Sequence, residues 1–219
     1  MVENEVMAMI TQRAMDIRPF IVMDVLEAAQ AMERSGEDVI HLEVGEPDFD
    51  TPECIKEAGL RALHEGKTHY THSLGLLELR EAICDHYRKR YSVIVSPEQV
   101  IVTSGTSPAM MILFSTILER DDEVIISDPH YACYPNFIRF FGGNPVCVPV
   151  REDEGFQYTP AAIQEMIHPR TKAILINSPS NPTGNLLSRE RMEEIASFGV
   201  PIISDEIYHG LVYGEVEHS

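Results

Sequence analysis

At 219 residues, 44% of them hydrophobic and 24% charged, the chain is long enough for one large domain with a sizeable core. Its net charge of -18 argues against nucleic acid and against an anionic membrane surface as partners, because both repel an acidic protein. Cys54, Cys84, Cys133 and Cys147 form no CxxC pair, so no metal spacing or disulfide framework is read from them, and reduced thiols in a cytoplasmic protein fit best. In chain order, the N-terminus "MVENEVMAMITQRAMDIRP" lacks the basic start and apolar core of a secretory signal, and no later run approaches the length of a membrane span. Residues 20–34 place Ile21, Val25, Ala28, Ala29 and Met32 at helical spacing, and Ser35-Gly36 ends that helix. "VIHLEVG", 39–45, reads as a short strand, "EPDFDTPE" as a loop, and Thr51-Pro52 as the opening of a helix over 53–65. After the loop "GKTHYTHSLGL", a helix over 75–91 carries Leu76, Leu79, Ile83 and Tyr87 on one face.

Beyond Ser96-Pro97 strands and helices alternate. "QVIVTSG" reads as a strand, "SPAMMILFSTIL" as a nearly all-apolar helix, "DEVIISD" as a strand and "YPNFIRFFGG" as a helix. "NPVCVPV", "TPAAIQEMI", "TKAILINSP", "SRERMEEIASF" and "VPIISDE" continue the alternation. This rhythm predicts βαβ units around a mainly parallel sheet, an α/β fold of three layers. Strands that are apolar throughout, such as "AILI" and "VPII", are those covered on both faces.

Ligands of an open parallel sheet bind beyond the carboxyl ends of its strands, so the segments after the strands carry the chemistry. "SGTSPAM" offers Gly105 for close backbone approach, then Thr106 and Ser107, with Ser107 as N-cap and Pro108 at the first helical position. Such a helix start suits an anion, phosphate above all, although an ordinary capped turn has the same composition. "DPHYACYP" offers Tyr131 as a flat ring, for stacking or for the core. "NSPSNPTGN" is a rigid turn that either presents the Asn181 amide or simply closes a surface loop. "PIISDEIYHG" ends an apolar strand at Asp205, a carboxylate suited to a metal, to work as a base or to a protonated ring nitrogen, and equally to a helix N-cap or a salt bridge, with Tyr208 three residues on. No His/Cys cluster flanks it, so a metal is not implied.

Taken in this order, "SGTSPAM", "DPHYACYP", "SNPTG" and "SDEIY", preceded by "LEVGEPDFDTP" and "THYTHSLGLLELREAI", resemble the pyridoxal-phosphate (PLP) aminotransferases of class I/II, fold type I. The resemblance runs from about Arg18 to the last residue. It implies the large domain of a PLP-dependent transferase over residues 46–219, cut short at its C-terminal side, with residues 1–45 as an N-terminal arm and part of the small domain. It also implies the roles of the site residues. Asp205 pairs with the protonated pyridine nitrogen, which keeps the ring an electron sink. Asn181 and Tyr208 hydrogen-bond its phenolic oxygen, and Tyr131 stacks on it. Gly105, Thr106 and Ser107 hold the phosphate, and Tyr70 reaches the phosphate of a neighbouring subunit, so a homodimer with shared sites is implied. Gly45 and Asn181 lie by the substrate, an amino acid or a 2-oxo acid.

The family's Schiff-base lysine follows the "SDEIY" segment. Here Lys56, Lys67, Lys89 and Lys172 all precede Asp205, and none occupies that motif position. The expectation is therefore an N-terminal portion of an aminotransferase, ending at "GEVEHS", with most of a cofactor cradle and no covalent anchor. Its incomplete sheet is expected to leave an open edge on the last strand. A non-catalytic remnant, a PLP-binding module and a β-elimination lyase share the same cradle. A nucleotide-binding α/β domain is disfavoured by the absence of a GxGxxG turn after the first strand.

Overall fold

The computed structural model describes residues 9–47 and 49–214. The first eight residues of the expected arm, Asp48 of the 46–53 loop and the closing residues 215–219 lie outside the described residues. The chain divides into two compact units, one of Met1–Phe20 with Thr106–Ser219 and the other of Ile21–Gly105.

The first unit holds a parallel sheet. Its strands are β1 (Glu123–Asp128), β2 (Asn144–Pro149), β3 (Thr171–Asn177) and β4 (Ile202–Asp205). They lie in the order β2-β1-β3-β4, and every pairing is parallel. Period-two alternation sends successive side chains to opposite faces, and both faces are apolar. Val124, Ile126, Ala173 and Leu175 face one way, and pack with Met110, Phe114 and Leu118 from the helix Thr106–Ile117 and its end, and with Tyr134 and Ile138 from the helix Tyr134–Phe140. Ile125, Ile174 and Ile176 face the other way, against Ile163 of the helix Pro160–Met166 and Ile195 of the helix Arg189–Ala196. The result is the expected α/β fold with three layers. Each fully buried isoleucine contributes about 1.5–3 kcal/mol, so the inner strands β1 and β3 anchor the unit. β4 pairs with β3 and stands at the end of the strand order.

Tyr158 ties the second face together: buried in that cluster, it donates its hydroxyl to the Leu175 carbonyl at 2.9 Å. Tyr158→Phe keeps the ring and removes the hydroxyl's bond to the Leu175 carbonyl together with its contact to the Ser127 side chain. It is expected to lower unfolding stability by about 1 kcal/mol, read as a shifted urea midpoint at unchanged slope.

The second unit contains the helices Ile21–Arg34, Glu53–His64 and Leu77–Tyr91. Arg80 is buried there and satisfied by backbone, its Nε donating to the Gly75 carbonyl at 3.2 Å and its Nη1 to that of Pro97 at 2.8 Å. Gly75, at φ +98°, leaves no room for a side chain, since a Cβ would stand 2.6 Å from Cβ of Val102.

Two expected strands are not found. Residues 39–45 form none, and Ile40 and Leu42 are exposed. Nor does 99–105: Pro97–Gln99 makes a short 3-10 turn, and the Val102 amide donates to the Leu74 carbonyl of a loop instead of to a ladder. A strand exists only where a neighbour takes its backbone groups. The helical stripes are also less buried than their spacing suggests. Leu76, Leu79 and Tyr87 are exposed, and of the first helix's stripe only Ala29 is buried. No helix of the described residues is long and apolar enough to cross a membrane.

Candidate functional site

The strand order reverses at β1. The chain goes from β1 outward to β2, then returns to place β3 on the other side. The crevice of an open α/β sheet opens at such a switch point, at the carboxyl ends of the strands. Tyr131 follows β1, Asn181 follows β3 and Asp205 ends β4.

Asp205 is the charged centre of this edge. Its relative exposure is 6%, and it pairs in register with Asn177 at the end of β3. Asp205 shares the parity of Ile203, so it faces the layer that carries Tyr134. One carboxylate oxygen, Oδ2, accepts from the Tyr134 hydroxyl at 2.5 Å, and the other, Oδ1, accepts from the Ile207 amide at 3.2 Å. Both donors are neutral. A buried carboxylate in such surroundings is suited to a cationic partner, because an unpaired charge in the interior is costly. Its main-chain carbonyl accepts from Nδ2 of Asn177 at 3.0 Å.

Asn177 joins this residue to the next. Its Oδ1 accepts from the Asn181 amide at 2.6 Å. The turn itself is closed by Gly184 N–H donating to the Ser180 carbonyl at 2.7 Å and Ser180 N–H donating to that of Asn185 at 2.9 Å. Glycine at 184, with φ +72°, allows that reversal. Asn181 then brings Nδ2 to 3.5 Å from the Tyr208 hydroxyl. An amide and a phenol so paired can serve one acceptor oxygen between them. In the same turn Oγ1 of Thr183 is buried with no hydrogen-bond partner among the described residues.

Tyr131 completes the group. Its ring stands edge-on to Tyr134 at 5.3 Å and to Phe20 at 6.1 Å. The Cys133 thiol beside it, burial, and the nearby Tyr208 and Asp205 push its phenol up to about 12. Burial, and then the bond to Asp205, hold the Tyr134 phenol well above its usual value. Both rings therefore stay protonated donors at neutral pH.

The structure thus gathers Tyr131, Asn181, Asp205 and Tyr208. Thr106 and Ser107 open the helix Thr106–Ile117 of the same unit; because the helix begins at Thr106, Ser107 lies in its first turn and not at the cap, with Pro108 one step further in. Gly105, at φ +99°, has open space where a side chain would be. Gly45, Tyr70 and Gly105 belong to the other unit, whose last residue is Gly105, and all three are exposed. In the loop that carries Gly45, His41 bridges Glu43 at 2.5 Å and Glu33 at 3.0 Å. These bonds, Glu43 first, hold its imidazole above the usual value.

Sequence reasoning does not single out Tyr134 and Asn177. Tyr134 lies three residues beyond Tyr131, and Asn177 ends the apolar run of β3 at its carboxyl end, so position relative to the strand ends is the signal that leads to both.

Residues 37–218 match the family described as aminotransferase class I and II. A (5-formylfuran-3-yl)methyl phosphate transaminase of Methanocaldococcus jannaschii is 47% identical over 206 residues, covering 94% of this chain and 53% of that protein. The aspartate/prephenate aminotransferase of Thermus thermophilus is 42% identical over 213 residues, covering 95% and 55%. Among solved structures, the Thermus thermophilus aspartate aminotransferase with maleate superposes with a TM-score of 0.92 at 41% identity, over 96% of this chain and 56% of that one. The chain spans about half the length of the curated relatives it matches. A family match over most of the chain, relatives above 40% identity and the same parallel-sheet architecture together lead to one conclusion: this chain belongs to the class I and II aminotransferases.

Proposed function

We propose that this chain is the cofactor-cradling part of a PLP-dependent aminotransferase, which moves an amino group between an amino acid and a 2-oxo acid. The observation that carries the reading is the buried Asp205 carboxylate, met among the described residues by neutral donors, beside the Asn181–Tyr208 pair. This donor set fits PLP. The carboxylate suits the protonated ring nitrogen, the amide and phenol suit the ring's phenolic oxygen, and Tyr131 offers a face or edge to the ring. Gly105, Thr106 and Ser107 suit the phosphate, through free N–H groups and hydroxyls at a helix start. When bound, the cofactor supplies an electron sink for a carbanion at the substrate's Cα. The chain's own residues orient the ring, keep its nitrogen paired with a charge and exclude water from that pairing.

In the whole protein, residues 1–45 serve as arm and small-domain segment and residues 46–219 as the large domain. Gly45 and Asn181 lie by the substrate. Tyr70, with its side chain exposed, is available to the phosphate of a second subunit in a homodimer. A cytoplasmic location accords with four free cysteines.

Equilibrium titration of the purified chain tests the cradle. PLP is expected to bind saturably at one site per chain, and pyridoxal, which lacks the phosphate, at least about tenfold more weakly. Equal binding of the two would remove Gly105, Thr106 and Ser107 from the site. No saturable binding of either would remove the cradle itself.

A further inference from the structure

We infer that Tyr134 is a positioning residue for the cofactor's ring nitrogen, acting through Asp205. The inference rests on the proposed pairing of Asp205 with that nitrogen and deepens it.

An aspartate carboxylate turns about two side-chain torsions, and a directional bond to a ring nitrogen needs both fixed. In this chain anchors from three places fix Asp205, the carbonyl being held also by the Ser178 amide at 3.3 Å. The Tyr134 hydroxyl holds Oδ2 at 2.5 Å, the Ile207 amide holds Oδ1 at 3.2 Å, and Asn177 holds the main-chain carbonyl at 3.0 Å. Tyr134 comes from another layer of the fold, and it is itself immobilised. It is 2% exposed, opens the helix Tyr134–Phe140, packs with Phe114, Ile138 and Leu175, and meets the Tyr131 ring edge-on. Its phenol, held above the usual value by burial and by Asp205, never gives up the proton it donates near neutral pH. Each carboxylate oxygen has two acceptor sites, so two donors leave capacity for a third partner. That third partner approaches along the direction the first two leave open. A rigid ring aimed at a carboxylate from the core is thus a positioning device for whatever the carboxylate then meets.

The test compares PLP with its 1-deaza analogue, in which a carbon replaces the ring nitrogen, in the wild-type chain, Asp205→Asn and Tyr134→Phe. A residue that only supports packing changes both affinities alike, whereas one that aims Asp205 changes their ratio. The expected result is a wild-type preference for PLP of at least about tenfold. That preference is expected to fall to within about threefold of unity in both variants, with Tyr134→Phe still giving a cooperative melt. Crystal structures of the cofactor-free wild-type and Tyr134→Phe chains provide a second readout that needs no binding. Asp205 is expected to change its side-chain torsions in the variant.

If Asp205→Asn loses the preference while Tyr134→Phe keeps it, or if the Asp205 side chain stays in place without the hydroxyl, Tyr134 has no positioning role and the site reading survives. If the wild-type chain itself shows no preference, the pairing of Asp205 with the ring nitrogen is wrong, and the inference falls with it.

Discussion

Asp205→Asn is expected to weaken PLP binding by about ten- to a hundredfold while leaving the fold in place. The size comes from replacing a charged acceptor by a neutral one opposite a cationic nitrogen, a difference of about 1.5–3 kcal/mol. The fold survives because asparagine still presents a carbonyl oxygen to the Tyr134 hydroxyl, the bond that Oδ2 now accepts at 2.5 Å, and gives up only the longer bond from the Ile207 amide at 3.2 Å, which an amide NH2 does not accept. Asp205→Ala is expected to behave differently. It removes the acceptor as well as the charge, and a phenol that is 2% exposed is left with nothing to bond. That orphaned donor costs about 1–3 kcal/mol of stability in addition to the lost affinity. The two variants therefore separate binding from folding. PLP titration should rank both far below wild type, whereas the melting temperature should fall clearly further for alanine than for asparagine. An Asp205→Asn chain that binds PLP like the wild type would take the ring nitrogen away from Asp205.

The strands of the sheet are legible in the sequence because their signal is local. "DEVIISD", "NPVCVPV", "TKAILINSP" and "VPIISDE" each become a strand within a residue or two of the expected ends. Their apolar character on both faces announces the two helical layers. The same kind of run misleads at 39–45 and 99–105, where β-branched residues occur but no neighbouring strand takes the backbone. Pairing is a property of two segments, and neither run carries its partner in its own composition. The site divides along the same line. Asp205, Asn181, Tyr131 and Tyr208 are legible because each lies at or just past the carboxyl end of a strand. Tyr134 and Asn177 act through bonds that span 71 and 28 residues of chain, and their own neighbourhoods read as an ordinary helix start and an ordinary strand end. Helical spacing likewise reveals the helix Leu77–Tyr91 but not the burial of its stripe, since Leu76, Leu79 and Tyr87 are exposed.

That contrast in burial sets the largest stability effect. Ile174→Ala is expected to cost about 2–5 kcal/mol, and Ile174→Val about 0.5–1.5 kcal/mol. Ile174 is fully buried in β3, in register with Ile125 of β1 on one side and Ile202 of β4 on the other. Its side chain packs in the cluster that includes Tyr158, Ile163, Ile176 and Ile195. Neighbours held by strands on both sides and by two helices cannot collapse freely into the space left by the missing carbons, so the cavity cost adds to the lost burial. Leu79→Ala removes a comparable side chain from a helix surface where it is already 44% exposed, and should cost well under about 1 kcal/mol. Denaturant unfolding of these variants gives the ranking directly, with an unchanged slope required for the comparison. The position also ties stability to the site. Asn177, three residues along the same strand, holds both the Asp205 carbonyl and the Asn181 amide. A loosened β3 should therefore weaken PLP binding in proportion to its loss of stability, whereas Leu79→Ala should leave binding untouched. An Ile174→Ala chain as stable as the wild type would mean that the sheet does not unfold as the unit its packing describes.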